Sequence, residues 1–310
     1  MFRLIYGYSG GEYDDSLVEL INRFNRVEYP DVGNPVSVEK YRRTWFEASW
    51  FKPSDLYLFI LDDKVVGYLY AWISSDMLRS QLVVDPLLPY SIKENLLDEI
   101  FKWLRNKVLV EGTNNVVRIR AGYEYRFLHN FLMKRVSPVI IDYTATLMKF
   151  DPSKLGSLKR RIDEYMATSS VSVEKGDISD VDKVVEIYND AFSIYPWFIT
   201  WKVEDARRFY REHKLILYIA YINGEPVGYC DGEIYNNLFG DRIGYVYTLA
   251  VKRRFWGKRI GSILLYHMLR EFIEQGIEDI YLDSIEGLER YYGRRGFNIV
   301  TRSLSYILYL

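Results

Sequence analysis

One stretch of this chain is written twice. Asp15-Ser-Leu-Val-Glu-Leu-Ile-Asn-Arg-Phe24 lines up with Asp182-Lys-Val-Val-Glu-Ile-Tyr-Asn-Asp-Ala191, 167 positions on, and Tyr29-Pro30 and Tyr195-Pro196 follow at nearly the same offset. Leu56-Tyr-Leu-Phe-Ile-Leu-Asp-Asp-Lys-Val-Val-Gly67 then matches the segment that starts at Leu215, with Val66-Gly67-Tyr68 falling on Val227-Gly228-Tyr229. A period near domain size means duplication of a whole fold, against the 20–50 residues of solenoid repeats. The alternative is chance likeness between common strand–turn–strand wordings. At 310 residues the chain has material for two cores.

The second copy reads as strand, helix, aromatic loop, helix, hairpin, strand, helix, strand, helix, strand. That order predicts an α/β fold with a mixed sheet, in two tandem domains. Asn223-Gly224 between two apolar runs is a two-residue hairpin signal. The helix expected over 261–275 puts Leu264, Met268 and Phe272 on one face, with Leu265 and Leu269 beside them. The first domain is placed at 1–150, after an apolar strand over 139–150. Asp151-Pro152-Ser153 caps a connecting helix over 154–166, within a linker at 151–170, and the second domain runs 171–310.

The most specific stretch is Leu249-Ala-Val-Lys-Arg-Arg-Phe-Trp-Gly-Lys-Arg-Ile-Gly-Ser-Ile-Leu-Leu265, a strand entering an amphipathic helix through a basic, glycine-bearing turn. Such a helix start points unpaired amides and the positive end of its dipole at one spot, which suits a pyrophosphate. Lys252, Arg253, Arg254, Lys258 and Arg259 add charge there. The first copy lacks this turn. Its counterpart, Gln81-Leu-Val-Val-Asp-Pro86 followed by Leu-Leu-Pro-Tyr-Ser-Ile-Lys-Glu-Asn-Leu96, has no glycine, and Pro89 removes a donor.

These residues resemble the GNAT superfamily of acyl-CoA-dependent N-acyltransferases, whose cofactor motif reads roughly Arg/Gln-x-x-Gly-x-Gly/Ala after a Leu-Ala-Val-like strand. Trp256, Gly257, Lys258, Arg259, Ile260 and Gly261 occupy it; the last glycine is kept, while Trp256 and Arg259 depart. Glu289-Arg-Tyr-Tyr-Gly-Arg-Arg-Gly-Phe297 matches the family's Tyr-x-x-x-Gly-Phe ending. The first copy's Phe131-Leu-Met-Lys-Arg-Val136 has lost both the tyrosine and the glycine of that ending. The resemblance implies a degenerate, non-catalytic first domain, as in tandem members such as mycothiol synthase, and a second domain that binds acetyl-CoA. It assigns the pantetheine arm to Leu249, Ala250 and Val251, and the pyrophosphate to Trp256 through Gly261 with Ser262. It places Tyr292 where the family has its tyrosine general acid; packing against the core or the cofactor is the alternative. Tyr291 is expected to face elsewhere.

The family's usual glutamate on the motif strand is Tyr247 here, so the base is open. Asp231 and Glu233 share one face of the preceding strand and suit a water-linked proton path, or sit solvated at an edge. Asp283 is a third candidate. Acceptor choice is assigned to Tyr195, Trp197, Phe198 and Trp201 in the aromatic segment, with Tyr247. These rings either wall a pocket or, as we favour, pack on the first domain.

Composition narrows the rest. With 41 basic and 42 acidic residues the net charge is −1, which argues against nucleic-acid or membrane attraction. The basic run Lys159-Arg-Arg161 reads as a solvated helix face. Cys230 is alone, so no internal disulfide or cysteine-built zinc site can form. His129, His213 and His267 lack metal-ligand spacing, so no metal is expected. The first residues have no signal-peptide layout and no apolar run approaches the ~20 residues of a membrane helix, which suggests the cytoplasm. Gln81 and Gln275 are the only glutamines, a bias found in proteins from hot environments. Two functions follow: an acetyl-CoA-dependent N-acetyltransferase acting on a primary amine, or a non-catalytic CoA-binding or interaction protein. A longer acyl or an aminoacyl donor would keep the fold and change only the acyl pocket.

Overall fold

The computed structural model describes residues 2–48, 51–74, 77–111, 116–123, 126–135, 139–195 and 198–310. The chain forms two compact units: Met1–Thr146 with Asn237–Phe239 and Thr301–Leu310, and Leu147–Asn236 with Gly240–Val300. They are not consecutive stretches of chain.

The first unit contains β1 (Arg3–Tyr6), α1 (Asp14–Glu28), α2 (Val38–Tyr41) running into a π-helical turn at Arg42–Phe46, β2 (Leu56–Leu61), β3 (Lys64–Ser74), β4 (Met77–Val84), α3 (Tyr90–Glu111), β5 (Val116–Tyr123), α4 (Arg126–Arg135) and the start of β6 (Val139–Phe150). Its sheet is ordered β1-β2-β3-β4-β5, antiparallel except for the parallel β4–β5 pair. The last residues of the chain close it: Tyr306 lies opposite Ile119 and Leu308 opposite Val117, and both are buried in this unit's core.

The second unit holds the end of β6, then α5 (Leu155–Met166), β7 (Val171–Gly176), α6 (Val181–Phe192), α7 (Val203–Glu212), β8 (Ile216–Ile222), β9 (Glu225–Asn236), β10 (Arg242–Val251), α8 (Ile260–Glu274), β11 (Ile280–Ile285), α9 (Glu289–Gly293) and the start of β12 (Phe297–Tyr309). This is the expected order of elements. β7 to β10 are antiparallel neighbours and β11 lies parallel to β10. Asn223 (φ +51°) and Gly224 (φ +80°) make the left-handed turn joining β8 to β9.

Alternation along the strands sorts the side chains into two layers. Tyr218, Ala220 and Cys230 pack under α8, whereas Leu217, Ile219 and Tyr229 pack under α6 and α7. α8 lies close because Gly232 and Gly244 leave room for Phe272; a Cβ at either would come within 2.9 Å of its ring. The expected connecting segment begins with Asp151 capping Ser153 and becomes α5, whose Leu158 and Ile162 are buried in the α8 layer.

The two copies repeat a backbone detail. Gly67 pairs with Val84 and Gly228 with Val251; the next amide returns to the hairpin strand in each, Asp85 N to Val66 O at 2.9 Å and Lys252 N to Val227 O at 2.8 Å. The side chains at that position have opposite charge: Asp85 pairs with Arg23, Lys252 with Glu186 and Glu225.

Candidate active site

β10 and β11 run together only from Gly244 opposite Ile280 to Val246 opposite Leu282, although β10 continues to Val251 and β11 to Ile285. The strands therefore part after three residues. On its other edge β10 stays paired with β9 as far as Val251. Because Lys252 N turns toward β9, alternation directs the amides and carbonyls of Val251 and Leu249 into the opening. At its mouth Tyr247 forms a bulge, since Val246 pairs with Gly232 and Thr248 with Asp231.

The loop beyond β10 holds less free charge than its sequence suggests. Lys252 is buried and donates to Glu186 at 2.6 Å and to Glu225 at 3.3 Å; Arg254 also pairs with Glu225. Arg253 gives its amide to Asp190 at 2.6 Å. The expected five-cation cluster is thus corrected to Lys258 and Arg259, which have no carboxylate partner among the described residues. Acids on α6 and β9, distant in sequence, neutralise the rest. The Lys258 ammonium lies 5.0 Å over Phe255, and the Arg259 guanidinium 5.5 Å over Tyr165.

Gly257 has φ +80° with nothing within 4 Å of where its Cβ would be. Arg259, just before α8, is left-handed too at φ +54°. The amides of Gly257, Arg259, Ile260 and Gly261 have no acceptor among the described residues, while those of Ser262 and Ile263 turn back to Arg259 O. Unpaired amides at the positive end of a helix form an anion cradle. Trp256, half exposed, donates its indole N–H to Val251 O at 2.6 Å and ties the loop to the open strand edge. Ala250 and Ile260 have side chains in the core.

Left-handed backbone costs a non-glycine residue about 1–2 kcal/mol, and a β-branched one more. Arg259→Gly is therefore expected to keep or slightly raise stability, by about 0.5 kcal/mol after loss of the Tyr165 contact. Arg259→Val should lose about 1–2 kcal/mol in urea denaturation. Equal stability of the two variants would show that this turn carries no strain.

α9 carries two adjacent tyrosines, of which one reaches the cradle. Contrary to expectation, Tyr291 faces it: its hydroxyl is 2.8 Å from where a Gly261 Cβ would be, with Val251 and Leu249 methyls next nearest. The Arg295 guanidinium covers the Tyr291 ring at 3.4 Å and donates from Nε to Ser262 Oγ at 2.9 Å, which also buries Ser262. Tyr292 is 8 % exposed among Tyr291 and Phe297, and its hydroxyl has no partner among the described residues. Burial pushes its phenol well above the ordinary value, so it stays protonated.

β9 is an interior strand, so Asp231 and Glu233 are not solvated edge carboxylates. Both are buried and meet α7 and the residue that ends it: Tyr210 donates to Asp231 Oδ2 at 2.6 Å, and His213 Nδ1 lies 2.8 Å from Glu233 Oε2. A residue in the last turn of α7 and the one that caps its end thus match residues two apart on β9. Tyr247 donates to the same Glu233 oxygen at 2.9 Å, which joins this carboxylate to the bulge where the strands part. Asp283 accepts from Tyr245 at 2.9 Å. His213 was invisible as a partner from spacing, because the contact spans 20 residues and depends on how α7 crosses the sheet.

Phe198 and Trp201 pack within the second unit, against Tyr188 at 6.2 and 5.1 Å, and Tyr195 against Phe192 at 6.0 Å. Trp197 lies outside the described residues. Among those described, no group of three or more His, Cys, Asp or Glu is placed to hold a metal, and no helix is long and apolar enough to cross a membrane.

Desolvation raises Asp231 to about 6 from an ordinary 3.8, and its Oδ1 is buried without a partner. The folded protein therefore holds this proton to higher pH than the unfolded chain, and stability falls as pH rises from about 4 to 6. Asp231→Asn removes the fall. Relative to the parent, the variant should gain on the order of 2–3 kcal/mol between pH 4 and pH 7 in urea denaturation; a difference independent of pH would contradict the assignment.

Residues 181–297 match the family model described as Acetyltransferase (GNAT) family. No curated protein matches the chain. Among solved structures, a GCN5-related N-acetyltransferase from Sphaerobacter thermophilus is 14 % identical with a TM-score of 0.62, covering 99 % of this chain and 95 % of its own. A tandem GNAT protein from the clavulanic acid biosynthesis pathway is 13 % identical, with a TM-score of 0.64 and coverage of 99 % and 98 %. Saccharomyces cerevisiae N-myristoyltransferase is 13 % identical, with a TM-score of 0.61 and coverage of 99 % and 79 %. At these identities the likeness is one of fold.

Proposed function

We propose, from the match of residues 181–297 to the GNAT family model and from the tandem GNAT fold, that this chain is an acetyl-CoA-dependent N-acetyltransferase acting on a primary amine. The observation that carries the reading is the parting of β10 from β11 beside the unpaired amides at the start of α8. An open strand edge suits the amide-bearing pantetheine arm, and an amide cradle suits the pyrophosphate. Bound acetyl-CoA supplies an activated thioester, which the amine attacks directly in a ternary complex.

The chain's residues then have distinct tasks. Leu249 and Val251 offer backbone donors and acceptors in the opening, and the amides from Gly257 to Gly261 offer the anion site. Lys258 and Arg259 add the remaining charge. Tyr292, protonated and unpartnered, is the general acid for the leaving thiolate. Glu233, bonded to Tyr247 and His213 at the bulge, is the favoured proton acceptor, and buried Asp231 holds the strand and helix beside it. The acceptor is assigned to Tyr247, Tyr195 and Phe198, with Trp197, which lies outside the described residues. The first unit, without a glycine turn, is a non-catalytic partner.

Calorimetric titration with acetyl-CoA, with ATP for comparison, tests the proposal. One-site binding to acetyl-CoA alone, followed by acetylation in an amine screen, is expected. Binding without turnover of any amine would favour a CoA-binding pseudoenzyme, and no binding would remove both readings.

A further inference from the structure

The first unit holds a partly open cavity of about 210 Å³ between α1, α2 and the sheet strands β3 and β4. Its walls are aromatic. Trp45 stands perpendicular to Tyr68 at 5.8 Å and tilted on Tyr41 at 5.2 Å. Tyr41 and Tyr68 are 2 % and 3 % exposed, yet neither hydroxyl has a hydrogen-bond partner among the described residues. Neither hydroxyl is among the side-chain atoms sealed from solvent without a partner, so both open onto space. Burial keeps both protonated, hence donors. Gln81, Asn25 and Lys40 also line the cavity, and their side chains make no hydrogen bond or ion pair among the described residues.

A protein does not ordinarily leave the hydroxyl of a buried tyrosine unmade, since each costs about 1–3 kcal/mol. Here two such phenols, Tyr41 and Tyr68, line one volume beside the half-buried Asn25, Lys40 and Gln81. The lining contains a cation and no carboxylate. The second unit shows the contrast: by the match of Gly67 with Gly228, Tyr70 stands where Asp231 stands, and Tyr70 stacks on Phe51 at 5.2 Å. Where the second unit has a buried acid bonded to Tyr210, the first has a stacked tyrosine and no carboxylate.

We propose that this cavity is a binding site for a small planar aromatic monoanion, a ring carrying one carboxylate. An apolar cavity of about 150 Å³ holds benzene, so 210 Å³ holds a ring with a short carboxylate arm. The ring lies among Trp45, Tyr41 and Tyr68. The carboxylate accepts from the phenols and the Gln81 amide and is neutralised by Lys40, a charge-assisted contact that selects anions over amines.

Titration of the full chain with phenylacetate, neutral phenylacetamide and cationic phenethylamine tests this. Phenylacetate should bind at one site, at least tenfold tighter than phenethylamine. Tyr68→Phe, which deletes an unpartnered hydroxyl and should leave the melting temperature unchanged, should weaken phenylacetate about tenfold. Lys40→Met should erase the preference for phenylacetate over phenylacetamide. Acetyl-CoA binding should be the same in both variants, which separates this site from the second unit. No saturable binding of phenylacetate at millimolar concentration, equal affinity for the amine, or affinities unchanged in both variants would each overturn the proposal.

Discussion

Gly261→Trp lowers the affinity for acetyl-CoA at least a hundredfold, the largest loss expected of any single change in the second unit. The direction of a side chain at 261 decides this. Its first carbon would come within 2.8 Å of the Tyr291 hydroxyl, with Val251 and Leu249 methyls at 3.7 and 3.8 Å. Any bulk therefore enters the gap between the first turn of α8 and the open edge of β10. An indole there covers the amides of Gly257 to Gly261 and blocks the strand edge, so more than one contact is lost together. The change is not silent in the fold. Tyr291 is held by Arg295, which is tied to Ser262, so displacing it costs about 1–3 kcal/mol of overpacking. Calorimetry belongs at a temperature where circular dichroism shows the variant folded. Gly261→Ala gives the graded control: the phenol is the far end of a side chain and can yield, so about tenfold is expected. A folded Gly261→Trp protein with parental affinity would falsify the cradle.

Much of this was legible in the chain because it depends on local rules. Asn223-Gly224 needs left-handed backbone, the apolar spacing from Leu264 to Phe272 needs a helix on a sheet, and a glycine turn before a helix exposes amides whatever the tertiary context. What escaped depends on partners brought from afar. Lys252, Arg253 and Arg254 look free in a row of five cations until Glu186, Asp190 and Glu225 arrive from α6 and β9. Asp231 and Glu233 look like exposed acids until α7 and its C-terminal cap lay Tyr210 and His213 on them. Alternation in 301–309 marks a strand, but nothing in the pattern says that it closes the first unit's sheet beside β5. The sequence also identified the departure at Arg259 without its consequence: a position where the family motif has glycine adopts left-handed backbone here as well.

Tyr292→Phe should reduce turnover about a hundredfold while leaving acetyl-CoA affinity and stability nearly unchanged. The hydroxyl is what the change removes, and it has no hydrogen bond to lose among the described residues, so neither fold nor binding has reason to respond. General acid catalysis is worth about 10²–10⁴ in rate, and an ordinary thiolate of pKa about 8.5 takes a proton readily from a positioned phenol. Burial raises the Tyr292 phenol further, which keeps the acid loaded throughout the neutral range. The split between kcat and binding is the informative quantity, because loss of an interaction made only during reaction lowers kcat without lowering affinity. Steady-state rates with the best amine from the screen, beside calorimetry on the same samples, measure it. Parental kcat would return Tyr292 to a packing residue and leave the hydroxyl of Tyr291, which reaches the cradle, as the phenol to change next.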